Sequence, residues 1–330
     1  NMKLDYTQRT GNETIDFSFL SPNIAPEPSI MKVLQESIMV PENYKYAINE
    51  LPEMKSAIHD WYKNRYNVEL TYDEMICLQG SQEALSTLFL AMCDPGDIVL
   101  VPDPYYPIFS DGPKIAGAKV EYMPLLQENN YVIQLDQIDE EIAKKAKMMI
   151  VSYPNNPTCA IAPDSFYEEL IQFAKKYDIV VLHDNAYSEL VFDGKVGKSF
   201  LSFEGAKEIG IEVNSFSKTY GMAGARLGVC VGNKEVIDCY NTLKSNMDYG
   251  IFLPIQYAGI EALRHGGASI HSTCQAYQDR RDALCEAFDE VGWHINKSPA
   301  TMFAWARIPD QYEDSYAFTK DLMEKTGVVV

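Results

Sequence analysis

The sequence predicts an α/β protein built on a doubly wound, mostly parallel sheet, and three observations carry that prediction. Apolar runs with the length of buried strands recur through the middle of the chain. Amphipathic helical patterns stand between them. Residues of unusual chemistry follow several of the strands, and ligands in open α/β sheets bind beyond the carboxyl ends of strands.

The strand candidates are Ile98–Val101, Val120–Met123, Met148–Ser152, Ile179–Leu182, Ile209–Val213 and Leu227–Val231. Helical patterns intervene at Gln82–Met92, Pro163–Lys176 and Lys234–Ser245, as a sheet covered on both faces requires. From about Leu253 the pattern changes. Helical periodicity runs to Val291, a strand is expected at Met302–Ile308, and a further helix near Tyr316–Thr326. The segment up to about Asn49 is dotted with prolines and reads as irregular. The chain thus divides into a large domain at 50–250 and a smaller α+β domain formed by 1–49 and 251–330. The last residues, Gly327-Val328-Val329-Val330, read as the opening of a strand, so the smaller domain is expected to continue past them.

With 330 residues the chain can bury a substantial core. Its formal charge of −19 argues against nucleic acid or an anionic membrane as a partner, since both demand a basic face. The seven cysteines are odd in number, scattered and mostly set in apolar runs, without CxxC pairs or zinc-ligand spacing. They read as buried free thiols of a reducing compartment, with no metal site. No stretch has the length of a membrane span and the start is no signal peptide. A cytoplasmic location is the resulting expectation.

The most informative segment is Asn214-Ser215-Phe216-Ser217-Lys218-Thr219-Tyr220-Gly221, which leads on to Arg226-Leu227-Gly228. A lysine follows an apolar strand pattern, small hydroxyls flank it, and an arginine lies eight residues on. A nucleophilic amine needs a lowered pKa, and a phosphate beside it needs hydroxyls, backbone N–H groups and an arginine. On its own, a lysine in a polar loop is more often simply solvated.

Three further segments change the balance. Gly80-Ser81-Gln82 opens a strong helix, pointing N–H groups at an anion. Asp184, in His183-Asp184-Asn185-Ala186-Tyr187, ends a buried strand, where a carboxylate needs a cation or several donors; it could also be a helix N-cap. Tyr153-Pro154-Asn155-Asn156-Pro157-Thr158 offers amide donors in a fixed turn. A phosphate cradle, an amine, a carboxylate, and amide and phenol donors together form the set that pyridoxal 5'-phosphate requires.

With these segments the sequence resembles the class I/II aminotransferases of fold type I, over nearly its whole length. Ser215-Phe216-Ser217-Lys218 through Arg226-Leu227-Gly228 is similar to the family's Schiff-base segment, Asn155-Asn156-Pro157-Thr158 to its Asn-Pro-Thr-Gly motif, and Asp184 with Tyr187 to its Asp-x-x-Tyr pair. The resemblance implies a three-layer large domain, pyridoxal 5'-phosphate as cofactor, amino-acid and 2-oxo-acid substrates, and a homodimer with shared active sites. It implies catalytic roles for Lys218, Asp184 and Tyr187. Lys218 is then the imine lysine and proton shuttle, Asp184 the partner of the pyridine nitrogen, and Asn156 and Tyr187 the groups on the ring hydroxyl. Gly80, Ser81, Gln82, Ser215 and Arg226 hold the phosphate, and Tyr106 stacks on the ring. Tyr46 corresponds to the tyrosine that reaches the neighbouring subunit's phosphate, with Tyr44 the alternative if the local alignment slips by one residue.

Within the family, the segments around His183–Leu190, Ser199–Leu201 and Lys244–Asp248 resemble the LL-diaminopimelate aminotransferases, which places Asn246 at the substrate across a dimer interface. Four positions depart from that group: Gln82 for a lysine, Ala225 for a tryptophan, Cys159 for the motif's glycine, and Leu20 where many relatives have a glycine beside the substrate carboxylate. The family's carboxylate-binding arginine is expected past Val330, since Arg307 lies too early. Two other functions share parts of this pattern. A fold-type-I lyase, such as a carbon–sulfur β-lyase, uses the same cofactor residues. A non-catalytic amino-acid sensor would carry a DNA-binding helix-turn-helix, and none is legible here.

Overall fold

The computed structural model describes residues 2–18 and 21–330. Seven strands form the central sheet: β1 (Met75–Leu78), β2 (Ile98–Asp103), β3 (Lys119–Pro124), β4 (Ala146–Ser152), β5 (Val180–Asp184), β6 (Gly210–Ser215) and β7 (Gly228–Gly232). Their spatial order is β1-β7-β6-β5-β4-β2-β3. All are parallel except β7, which runs antiparallel to both its neighbours, β1 and β6. All six strands expected in the middle of the chain are present.

The strands are apolar on both sides because both sides are covered. Along β4, Met149 and Val151 join the core that holds Tyr62, Tyr167 and Phe200. Met148 and Ile150 point the other way, into the core of Leu88, Phe89 and Phe109. The covering helices include α1 (Pro52–Tyr66), α2 (Ser81–Met92), α3 (Asp164–Tyr177) and α5 (Lys234–Met247). Between β6 and β7 lies a single helical turn, α4 (Phe216–Thr219).

Three expectations are corrected. The long helical stretch is two helices, α6 (Leu253–His265) and α7 (Gly267–Glu290), parted at Gly266-Gly267, where two poor helix formers stand together. Met302–Ile308 forms no strand among the described residues; its apolar run suits a strand, but a strand also needs a partner, and only Ala300 nearby makes a bridge, to Val191. The N-terminal segment is not irregular. It carries helices at Met2–Thr10 and Pro28–Ile38, the second opened by a proline at its first position. The final residues do open a strand, Val328–Val329, parallel to Ile15–Asp16. All seven cysteines are free thiols, but they are not all buried: Cys93 and Cys274 are half-buried and Cys239 is exposed. Among the described residues, no helix is long and apolar enough to cross a membrane.

Candidate active site

Register brings the chemistry-bearing segments to one place. Leu78 of β1 and Ser215 of β6 both pair with Gly228 of β7. The turn after β1, the loop after β6 and the start of β7 therefore meet at one edge. Gly228 makes this possible: a Cβ there would fall 2.7 Å from Ser81 N and 3.0 Å from the Asn214 carbonyl. Ser152, Asp184 and Val213 lie in register across β4, β5 and β6, which sets Asp184 beside the strand that leads to Lys218.

The loop after β6 is held tightly. Asn214 Oδ1 accepts the Ser215 N–H at 2.7 Å, and Ser215 Oγ caps α4 by accepting the Ser217 N–H at 3.2 Å. Lys218 is half-buried, and burial, followed by the Arg226 guanidinium, pulls its amine below the ordinary lysine range. Arg226 returns toward the strand ends with a left-handed backbone (φ 53) and donates from Nη1 to the Ala223 carbonyl at 3.0 Å.

The guanidinium lies against Gly80: a Cβ on that residue would fall 2.4 Å from Arg226 Nη2, and φ is +76 there. The first N–H groups of α2, the Arg226 guanidinium and the Ser215 hydroxyl together make an anion cradle. Gly80→Ala is expected to leave the chain folded while weakening phosphate-ester binding by about tenfold or more, the effect of a strained left-handed alanine and a displaced arginine. Equilibrium titration with pyridoxal phosphate checks it.

Asp184 closes β5 with 6% exposure. Among the described residues its only side-chain hydrogen-bond donor is the Ala186 N–H, at 3.2 Å. Burial pushes its carboxyl up to about 6, against the opposing pull of that N–H and of His183. A cation brought to it would be strongly favoured. Tyr106 donates to Gln82 Oε1 at 2.7 Å, and its phenol is raised by burial and then by Asp184, with Arg226 opposing. Tyr106 therefore lies within the electrostatic reach of both Asp184 and Arg226. Burial, then Asp184, also pushes Tyr187 well up, so its phenol keeps its proton.

The Asn-Pro turn divides its labour. Asn155 is buried and builds the turn, with Oδ1 accepting the Thr158 N–H (3.0 Å) and hydroxyl (2.7 Å). Asn156 makes no side-chain hydrogen bond within the described residues and remains available for a ligand. Cys159, standing where the family motif has glycine, takes the left-handed φ of 64 that glycine adopts without strain.

Tyr46 is 77% exposed and packs on Tyr249 with ring centroids 5.1 Å apart. Tyr44, the alternative, has its hydroxyl committed to the Ile38 carbonyl at 2.9 Å. Asn246 sits on the exposed last turn of α5, its amide donating to Thr242 O at 2.8 Å. Leu20 falls outside the described residues. An open cleft of about 1490 Å³ between 127–136 and 294–307 contains none of the chemistry-bearing groups.

The sequence reading missed Lys244. The residue is 5% exposed, and its ammonium lies 2.6 Å from both Glu83 and Asp248. Glu83 also accepts the Gln79 N–H, so Lys244 braces the cradle turn. The Lys244/Asp248 spacing of four residues on a helix was the available signal. Lys244→Met strands two carboxylates and is expected to lower stability by roughly 3 kcal/mol, read as a fall in the denaturant midpoint.

The donor set fits pyridoxal phosphate: a cradle for its phosphate, a buried carboxylate in want of a cation, an amine of lowered proton affinity, and neutral phenol and amide donors. Comparison with known proteins agrees. The model of the aminotransferase class I and II family matches residues 16–330. The LL-diaminopimelate aminotransferase of Halothermothrix orenii is 44% identical over 323 residues, 97% of this chain and 83% of the relative. The glutamate-pyruvate aminotransferase AlaC of Escherichia coli is 38% identical, over 98% of this chain and 79% of the relative. The substrate-bound structure of BacF from Bacillus subtilis superposes with a TM-score of 0.94 at 36% identity, covering 99% of this chain and 84% of that one. Strand ends, cradle and family match converge on one conclusion: this chain belongs to the class I and II aminotransferases and is a pyridoxal-phosphate-dependent transaminase of fold type I.

Proposed function

We propose that the chain moves an amino group between an L-amino acid and a 2-oxo acid in two ping-pong half-reactions, as a cytoplasmic homodimer with shared active sites. The reading rests on one observation: a buried carboxylate, Asp184, and an amine of lowered proton affinity, Lys218, follow adjacent strands with an anion cradle beside them. Bound pyridoxal phosphate supplies the electron sink that acidifies the substrate α-carbon. Lys218 Nζ takes the α-proton and delivers it again, which its lowered pKa permits near neutral pH. Asp184 Oδ holds the proton of the ring nitrogen in place. Tyr187 and Asn156 would donate to the ring hydroxyl oxygen, and Tyr106 would help to hold the ring. Gly80, Ser81, Gln82, Ser215 and Arg226 anchor the phosphate.

An exposed apolar patch of Tyr44, Tyr46, Ile48, Met247, Tyr249 and Phe252 supports the homodimer. It includes Tyr46, which would reach the partner's phosphate, and it adjoins Asn246, which would reach the partner's substrate. The division into a cofactor domain at 50–250 and a smaller domain from 1–49 and 251–330 belongs to the same proposal, as does a substrate contact at Leu20.

Single-turnover assays test this reading. LL-diaminopimelate, L-alanine and L-glutamate are the first donors to try, because relatives carry names that point to them. At least one donor should convert the bound cofactor stoichiometrically to its pyridoxamine form and release the matching 2-oxo acid. Pyruvate or 2-oxoglutarate should then reverse the change. Pyruvate and ammonia without the pyridoxamine form would identify a lyase instead.

A further inference from the structure

Beneath the sheet, on the face away from Asp184, lies a charged pair that the transamination reading does not use. Successive residues of a strand point to opposite faces, and the cores confirm it here. Leu182 belongs to the core of Leu88 and Phe89, while Val181 belongs to that of Tyr62, Tyr167 and Phe200. His183 follows the second pattern and Asp184 the first. Glu212, paired in register with His183, shares its face. Both side chains are 0% exposed.

Glu212 receives four donors: the Tyr62 hydroxyl at 3.0 Å, the Ser199 hydroxyl at 2.8 Å, the Phe200 N–H at 2.9 Å and His183 Nδ1 at 3.1 Å. Three of these donors converge on Oε2 and the Tyr62 hydroxyl serves Oε1, the donor-rich surroundings of an ionised carboxylate. His183 Nε2 faces the Tyr153 carbonyl at 3.2 Å, which can only accept. Both ring nitrogens therefore donate, and the pair's proton resides on the imidazole. Tyr66, Tyr167 and Cys230, with the Arg65 guanidinium, are the other titratable or charged groups close enough to feel Glu212.

We propose that His183 is a positioning residue whose positive charge, seated on Glu212 one residue from Asp184, holds Asp184 as the carboxylate that meets the cofactor's ring nitrogen. The proposal rests on the role given to Asp184 above. Its direction agrees with the field at Asp184, where His183 opposes and Glu212 reinforces the effect of burial. Removing His183 alone leaves an unpaired negative charge beside Asp184, which then keeps its proton to higher pH. Removing both partners cancels the effect.

The test is the pH dependence of pyridoxal phosphate binding to the cofactor-free protein, followed by the cofactor's visible absorbance, with near-UV circular dichroism to check the fold. His183→Asn is expected to move the acid limb of binding up by about one pH unit, so that affinity at pH 5 falls about tenfold while affinity at pH 8 barely changes. His183→Gln, which retains one donor, should show the same shift and carries the test if the asparagine variant does not fold. The double variant His183→Asn with Glu212→Gln should bring the limb back to the parent's position. An unmoved limb in both His183 variants, or an equal loss at all pH values that the double variant fails to restore, overturns the proposal. Asp184→Asn separates the two levels. If it keeps the parent's acid limb, the role of Asp184 fails; if it loses the limb while the His183 variants do not move it, only the positioning role fails.

Discussion

Replacing Lys218 with alanine is expected to leave the fold intact and to lower amino transfer by at least about 10⁴-fold, the combined loss of a covalent anchor and a positioned proton carrier. The groups that bind the cofactor elsewhere are untouched. Gly80, Ser215 and Arg226 still form the cradle, and Asp184 still ends β5. The variant should therefore bind pyridoxal phosphate, but release it on dialysis. Lys218→Arg keeps the charge without a competent nucleophile and should be nearly as inactive. Steady-state assays with the best donor from the single-turnover screen, together with cofactor retention after dialysis, check both. Full turnover by the alanine variant would remove the lysine from the mechanism.

Asp184→Asn should move stability and function in opposite directions. In the cofactor-free protein burial pushes the folded carboxyl up to about 6, against 3.8 for an ordinary aspartate. The folded state thus binds this proton more tightly than the unfolded chain does. Its stabilising contribution is fully present below 3.8 and is lost as pH rises through 6. The loss is about 3 kcal/mol at most, and asparagine avoids it. At pH 8 the cofactor-free variant should accordingly be more stable than the parent by up to about 3 kcal/mol, whereas at pH 3.5 the two should match. Activity should fall roughly 10³-fold or more, because a neutral amide cannot hold a protonated ring nitrogen. Denaturant melts of the cofactor-free proteins at both pH values and steady-state assays of the loaded proteins decide it. A variant less stable than the parent at pH 8 would contradict the buried, cation-seeking carboxylate.

The sheet was legible because buried parallel strands are written as continuous apolar runs, and Ile98–Asp103, Ala146–Ser152 and Gly210–Ser215 are such runs. The cofactor groups were legible for a related reason: each follows a strand within a few residues, so local sequence already places Asp184, Asn156 and Lys218 at the sheet's edge. What stayed hidden depends on partners distant in sequence. Met302–Ile308 has the apolar run of a strand but no neighbour to pair with among the described residues. The break at Gly266-Gly267 interrupts a periodicity that continues on either side. Lys244 meets Glu83 across 161 residues, and Glu212 meets Tyr62 across 150. No local pattern announces either contact. The Gly80–Arg226 contact was foreseeable only as two halves of a phosphate site, since their meeting depends on the antiparallel return of β7.

The central claim, that Lys218 is the amine that carries the cofactor, has one direct test. The protein is loaded with pyridoxal phosphate, reduced with borohydride, digested and mapped by mass spectrometry. A single cofactor-sized addition on Lys218, abolished in Lys218→Ala, is the predicted result. An addition on any other lysine, or an unmodified Lys218 in protein that visibly holds the cofactor, would contradict it.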